Sequence, residues 1–74
     1  DVLVMAITSN IQDKVASVLI ENSDMKSGSL RIVSQVRVDK IYSLSSDLIL
    51  KSFGEINIEK LKSIFDSLIN FLKA

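Results

Sequence analysis

An alternation of polar and apolar side chains between Ser34 and Leu44 constrains the fold more than any other stretch of this chain; it reads SQVRVDKIYSL. Two valines alternate with polar residues as far as Asp39, the pattern of a strand with one buried face. The phase then slips, because Lys40 takes an inward position and the apolar Ile41 an outward one. Since a one-residue slip exchanges the two faces of a strand, we expect a bulge or sharp bend at this point.

Apolar runs before this stretch predict further strands. Residues 2–7 are continuously apolar, so we expect a strand that is buried on both faces at the centre of a sheet. Residues 15–21 predict a second strand, and the long strand that contains Ser34–Leu44 is expected to begin at Leu30. Residues 22–29 are rich in turn formers, and we predict that they form the longest and most mobile loop.

The stretch after Leu44 predicts a hairpin. A short turn precedes residues 48–53, which read LILKSF, and we expect them to return as a strand antiparallel to residues 36–42. Gly54 and Glu55 are then expected to break the sheet.

Helical periodicity marks the C-terminus. Asn57 is a suitable N-cap, and apolar residues recur at helical spacing from Ile58 to Lys73. We therefore predict an amphipathic helix over this range that packs on its own sheet. A membrane-surface role is disfavoured, because the polar face mixes acidic and basic residues.

With 74 residues, the chain is at most one small domain, residues 1–74, with a thin core. The absence of cysteine and histidine excludes a disulfide framework, a thiolate metal site and a serine-histidine triad. Nine basic and nine acidic residues cancel, so any contact with nucleic acid has to be local. No apolar run approaches the roughly 20 residues that span a membrane, and we expect a soluble cytoplasmic protein without metal or cofactor.

Three hydrogen-bonding residues, Thr8, Ser9 and Asn10, follow the first predicted strand. Two interpretations are open. They satisfy loop backbone groups as turn formers, or they present polar groups from a rigid support at a functional site.

The order of these parts resembles that of the PemK/MazF family of toxins from toxin-antitoxin systems. The motifs that carry the resemblance are AITSN at residues 6–10, QVRVDKI at residues 35–41 and FGEI at residues 53–56. The resemblance implies an α+β fold, mostly β: a small Src-homology-3-like open barrel of antiparallel strands with a C-terminal amphipathic helix. It also implies a homodimer, a cognate antitoxin as partner, and metal-independent cleavage of single-stranded RNA.

The same resemblance nominates the site residues. Thr8 falls on the family's threonine, with Ser9 beside it, as the catalytic pair. Ser34 and Gln35 fall on positions that face the RNA groove, and Gln35 either reads a base edge or lies in solvent. Arg37 either supplies a cation to the RNA or pairs with the carboxylate two residues further along its strand.

The sequence also departs from the family. Ala6 stands where proline is frequent, and Ser34 where many members carry an acidic residue. The family's tryptophan-containing first strand and its catalytic arginine-proline pair have no counterpart in these 74 residues. We therefore expect the chain to correspond to the C-terminal part of the toxin domain and to be inactive by itself.

Three interpretations of function remain open at this point. The first is a ribonuclease toxin, an endoribonuclease if the N-terminal segment is present. The second is a catalytically silent toxin-like module that binds an antitoxin or another protein. In the third, the chain is an unrelated small domain whose motif matches arise by chance.

Overall fold

Strands dominate the structure, and one helix ends it. The computed structural model describes residues 1–73. Its main elements, in chain order, are β1 (Val2–Thr8), β2 (Ser17–Ile20), β3 (Met25–Gly28), β4 (Ser34–Leu44), β5 (Gly54–Ile56) and α1 (Ile58–Lys73). Two short 3-10 turns, Asn22–Asp24 and Ser46–Leu48, lie between strands.

The strands form two antiparallel sheets, and neither closes on itself within the described residues. β4 is the central strand of a three-stranded sheet with the order β1-β4-β2, and β3 pairs with β5 in a separate two-stranded sheet. This confirms the predicted α+β class, which is mostly β with open antiparallel sheets and a C-terminal helix.

β4 carries the predicted irregularity. Met5 of β1 pairs with Ile41, but the next residue, Ala6, pairs with Arg37. Residues 38–40 are therefore extra on β4, which confirms the bulge expected where the sequence pattern slips.

Helix α1 has the predicted bounds and the predicted cap. The Oδ1 atom of Asn57 accepts a hydrogen bond from the Lys60 N–H at 2.7 Å. Ile64 on the inner side is only 4% exposed and packs with Ile20 of β2 and Val38 of β4 in the core. The helix therefore packs on its own sheet, as predicted. No helix among residues 1–73 is long and apolar enough to cross a membrane.

The three-stranded sheet has two faces of different character. Ile7 pairs with Val36, and both line a groove beside α1, so we call this side the helix face. Alternate residues of each strand point to the opposite side, which we call the polar face. On the polar face the register brings together Ala6, Thr8, Ser17, Gln35 and Arg37.

The prediction that residues 2–7 form a central, doubly buried strand is wrong. β1 is an edge strand of its sheet, and Leu3 and Ile7 are exposed. An apolar run predicts a strand but does not show which strands flank it. β4 covers one edge of β1, and none of the other described strands covers the second.

Residues 22–29 contain regular secondary structure, contrary to the predicted loop. Their turn-forming residues make the 3-10 turn Asn22–Asp24, and the chain then extends as β3. The Leu30 N–H donates to the Asn22 side-chain oxygen at 2.8 Å, outside any sheet. The long strand accordingly begins at Ser34 rather than at Leu30.

Gly54 and Glu55 belong to β5 and do not break the sheet, which corrects the prediction for them. They pair with Gly28 and Ser27 of β3. Gly28 has φ = 73°, and a Cβ there would overlap the Phe53 carbonyl oxygen, so glycine permits the close approach of these two strands.

Residues 48–53 do not form the predicted partner of β4. The chain turns at Ser46–Leu48 and stays irregular through Phe53. β1 already pairs with the far half of β4, up to Val2 opposite Leu44. On the opposite edge of β4, β2 pairs only with Ser34–Arg37, so no described strand occupies the position of the hairpin that the short connection favours.

We predict that Ile64→Ala lowers the free energy of unfolding by about 2–5 kcal/mol, because it leaves a cavity in a thin core. Ile69→Ala is the matched control, since it removes the same atoms from the same helix at a residue that is 49% exposed. Its effect should be clearly smaller in urea unfolding followed by circular dichroism. Equal losses for the two variants would show that α1 does not pack through Ile64.

Candidate functional site

The register of the sheet gathers most of the predicted site residues on the polar face. Thr8 of β1 pairs with Gln35 of β4, and Ala6 pairs with Arg37. Because directly paired residues point to the same side of a sheet, Thr8 and Arg37 share one surface. Ser9 follows directly after β1 and is exposed.

Ser34 is the predicted site residue that this surface does not include. It pairs with the buried Ile20, so it lies on the helix face. The Ser34 hydroxyl is buried and donates to the Ile32 carbonyl at 3.0 Å. The structure thus gives Ser34 a local backbone contact and separates it from Thr8 and Arg37.

The Thr8 side chain stabilises a turn as a hydrogen-bond acceptor, and its hydroxyl can still donate a hydrogen bond. Its Oγ1 accepts a hydrogen bond from the Asn10 N–H at 3.0 Å, which confirms the turn interpretation. A hydroxyl also carries one hydrogen of its own, which rotates to suit a partner. Thr8 is therefore able to donate to a ligand oxygen on the polar face while it holds the turn.

Arg37 forms an ion pair with Asp39, which was one of the two interpretations of this residue. Its Nε and Nη2 atoms donate to the two carboxylate oxygens at 2.8 and 2.7 Å. The side chains are 13% and 22% exposed, so the pair is better shielded than a surface ion pair. This bidentate hydrogen bonding raises the pKa of Arg37 and lowers the pKa of Asp39. The guanidinium is therefore held in one orientation. Its outer edge, the side that carries Nη1, makes no hydrogen bond to Asp39.

Gln35 is buried, with only 3% of the residue exposed, so the alternative in which it lies in solvent is wrong. Its Nε2 atom donates to the Gln12 carbonyl at 2.8 Å and to the Ser17 hydroxyl at 2.9 Å. Its Oε1 atom accepts from the Gln12 N–H at 3.2 Å. The amide is thus engaged with the protein's own backbone, and it reads a base edge only if these bonds break.

These bonds hold residues 9–16, which connect β1 to β2 and which we call the crossing segment. Gln35 bonds the backbone of Gln12 in the middle of this segment. At the end of the segment, the Ala16 carbonyl accepts a hydrogen bond from the Val38 N–H at 3.1 Å. Lys14 takes φ = 63°, a value that non-glycine residues rarely adopt. The segment is therefore fixed near both ends and at its centre, which sets the position of Ser9 beside Thr8.

The helix face offers a surface of different chemistry. A groove of ≈ 330 Å³ lies between β1 and α1, and all of its lining residues are apolar. Without a charged or hydrogen-bonding side chain, this groove cannot stabilise a phosphate or transfer a proton. Among residues 1–73, no group of three or more acidic side chains is placed to hold a metal ion. The polar face is therefore the candidate site for chemistry on a charged ligand.

Comparison with known families settles the ancestry of the chain. The sequence model of a family described as PemK-like, MazF-like toxin of type II toxin-antitoxin system matches residues 1–72. The chain belongs to this family. No curated protein and no solved structure matches it significantly. The interpretation of the motifs as chance matches is wrong, and membership of the PemK/MazF family implies an antitoxin as partner.

Gln12 and Ser17, which anchor the amide of Gln35, were not singled out in the sequence. They lie 23 and 18 residues away from Gln35, and no motif links them to it. Only the paired strands bring them together, so no local signal could have identified this network.

We predict that Gln35→Ala loosens the crossing segment. The substitution removes three part-buried hydrogen bonds and leaves the backbone N–H and carbonyl of Gln12 without the partner that holds them. Hydrogen exchange of the Gln12 amide should become at least about tenfold faster.

Gln12→Ala is the matched control, because Gln35 bonds the backbone of Gln12 and not its side chain. Its exchange protection should stay close to that of the unaltered chain. Equal protection in Gln35→Ala and Gln12→Ala would contradict the anchoring role of Gln35.

We also predict that the Arg37–Asp39 pair makes stability depend on acid pH. Because the folded-state pKa of Asp39 lies below 3.8, its contribution is complete above the unfolded pKa and is lost as the pH falls through the folded value. The difference in unfolding free energy between the unaltered chain and Asp39→Asn should stay constant near neutral pH. It should shrink as the pH falls from about 5 to about 2. A difference that grew on acidification would contradict the assignment.

Proposed function

We propose that this chain belongs to the toxin of a toxin-antitoxin pair and that, together with the N-terminal catalytic arginine loop that these 74 residues lack, it acts as a metal-independent endoribonuclease on single-stranded RNA. The polar face is the surface on which the RNA lies. Membership of the PemK/MazF family supports the toxin class. The observation that carries the proposal is the β1-β4 register, which puts the Thr8 hydroxyl and the Arg37 guanidinium on one side of the sheet.

Cleavage of RNA without a metal requires a base for the 2′-hydroxyl, a donor or cation for the phosphorane charge, and an acid for the leaving oxygen. In our proposal the Thr8 hydroxyl and the exposed Ser9 donate to phosphate oxygens, and Arg37 supplies positive charge from its outer edge. Ser34 and Gln35 support RNA binding through the backbone that they hold. The described residues contain no histidine to complete an acid-base pair.

The partners that we propose are a cognate antitoxin and a second copy of the chain, which meet in the cytoplasm. The antitoxin follows from the family. The dimer is supported by the edge position of β1, whose exposed Leu3 and Ile7 favour association, because an uncovered strand edge readily pairs with another chain.

One observation favours a second candidate function, a catalytically silent module that binds an antitoxin or another protein. The charge of Arg37 is balanced by Asp39 within hydrogen-bond distance. A neutralised cation attracts a polyanion less than a free one does. In this alternative the polar face contributes to folding, and the toxin acts only through protein contacts.

Binding of a labelled single-stranded RNA, measured by fluorescence anisotropy at several salt concentrations, tests the proposal. We predict that Arg37→Gln weakens binding about tenfold or more, since a charge-assisted hydrogen bond to phosphate is lost. In a plot of the logarithm of the binding constant against the logarithm of the salt concentration, the magnitude of the slope should fall by about 1. Arg31→Gln is the matched control, because Arg31 is the other arginine of the chain, and it precedes β4.

The double variant Arg37→Gln/Asp39→Asn should bind as weakly as Arg37→Gln. This result separates loss of the cation from repulsion by an unpaired carboxylate. Equal effects of the substitutions at Arg37 and Arg31, or no RNA binding by the unaltered chain, would favour the silent module.

A further inference from the structure

The bulge in β4 changes the face on which Tyr42 lies. Val36, which precedes the bulge, and Val38, the first residue of the bulge, both lie in the core below α1. Tyr42 would share their side of the sheet if the strand were regular, since residues at even spacing point the same way. Instead Tyr42 pairs with Val4, which alternates with Met5 on β1 and so lies away from the helix face. The extra residues thus turn an aromatic ring onto the polar face.

Tyr42 is close to the cation of the candidate site. Val4 and Ala6, the partners of Tyr42 and Arg37, are two residues apart on β1 and on the same side of it. Their side chains therefore begin about 7 Å apart along the strand. The electrostatic influence of Tyr42 is also one of the smaller causes that raise the pKa of Arg37, after its hydrogen bond to Asp39.

Half of the Tyr42 surface is exposed, at 50%, although the chain is short of aromatic residues and Tyr42 is its only tyrosine. An exposed ring beside a guanidinium is the combination that binds single-stranded RNA, because the ring stacks on a base while the cation holds the backbone. We propose that Tyr42 is a stacking platform for a nucleobase of the RNA whose phosphate Arg37 contacts. This inference rests on the proposed function and assigns a base-binding residue to its site.

The composition of the chain provides a direct probe. It contains no tryptophan, so its intrinsic emission on excitation of tyrosine comes from Tyr42 alone. Titration of the full 74-residue chain with an unstructured RNA oligonucleotide should quench this emission, because a stacked base shields and quenches the ring. An abasic oligoribonucleotide of the same length keeps the phosphates and lacks the bases, and it should leave the emission nearly unchanged.

Substitutions complete the test. Tyr42→Ala should weaken RNA binding about tenfold, the loss expected for one base-aromatic stack, whereas Tyr42→Phe keeps the ring and should bind nearly as well as the unaltered chain. Both variants should bind the abasic ligand as the unaltered chain does, which also shows that they are folded. Thermal unfolding followed by circular dichroism checks the folding independently.

The outcomes separate this inference from the proposed function. If the unaltered chain binds RNA but Tyr42→Ala binds it equally well without base-dependent quenching, the stacking role is overturned and the RNA-binding function stands. If the unaltered chain binds no RNA, the proposed function fails, and the stacking role fails with it. Emission that changes only with protein concentration would place Tyr42 in a contact between copies and would overturn the stacking role.

Discussion

Pairing along β4 is the interaction on which the rest of the structure depends. This strand pairs with β1 on one edge and, over Ser34–Arg37, with β2 on the other, and its valines form the core with Ile20 of β2 and Ile64 of α1. A thin core of this kind leaves little margin, because a short chain buries only about 60% of its unfolded surface. The bulge at residues 38–40 gives the two halves of β4 different roles. The first half packs its valines toward the helix, and the second half presents Tyr42 to solvent.

The features that the sequence predicts correctly are those that depend on residue patterns within a single strand or helix. The slip after Asp39 predicted the bulge, and the spacing from Ile58 to Lys73, with Asn57 before it, predicted α1 and its cap. The β3-β5 sheet was missed, because its pairing joins segments far apart in sequence and depends on close approach at Gly28. Residues 48–53 do not form the predicted hairpin; they lead irregularly to β5, which pairs with β3 instead.

The candidate site was predictable to a similar degree. The motif residues Thr8 and Arg37 are brought to one surface, and the ion pair of Arg37 could be inferred from its spacing to Asp39. The burial of Gln35 could not, because the crossing segment that covers it contacts it only after the sheet has formed. A polar residue in an alternating strand is expected to face water. Here its amide is instead used to anchor the backbone that carries Ser9.

The central claim is that the polar face, rather than the apolar groove beside α1, meets the RNA. Chemical-shift mapping of the ¹⁵N-labelled chain during titration with single-stranded RNA tests it most directly. The account predicts that the largest changes fall on amides of Thr8, Arg37 and Tyr42, while those of Leu61 and Phe65 in the groove stay unchanged. Changes concentrated at Leu61 and Phe65, or no changes at all, would contradict it.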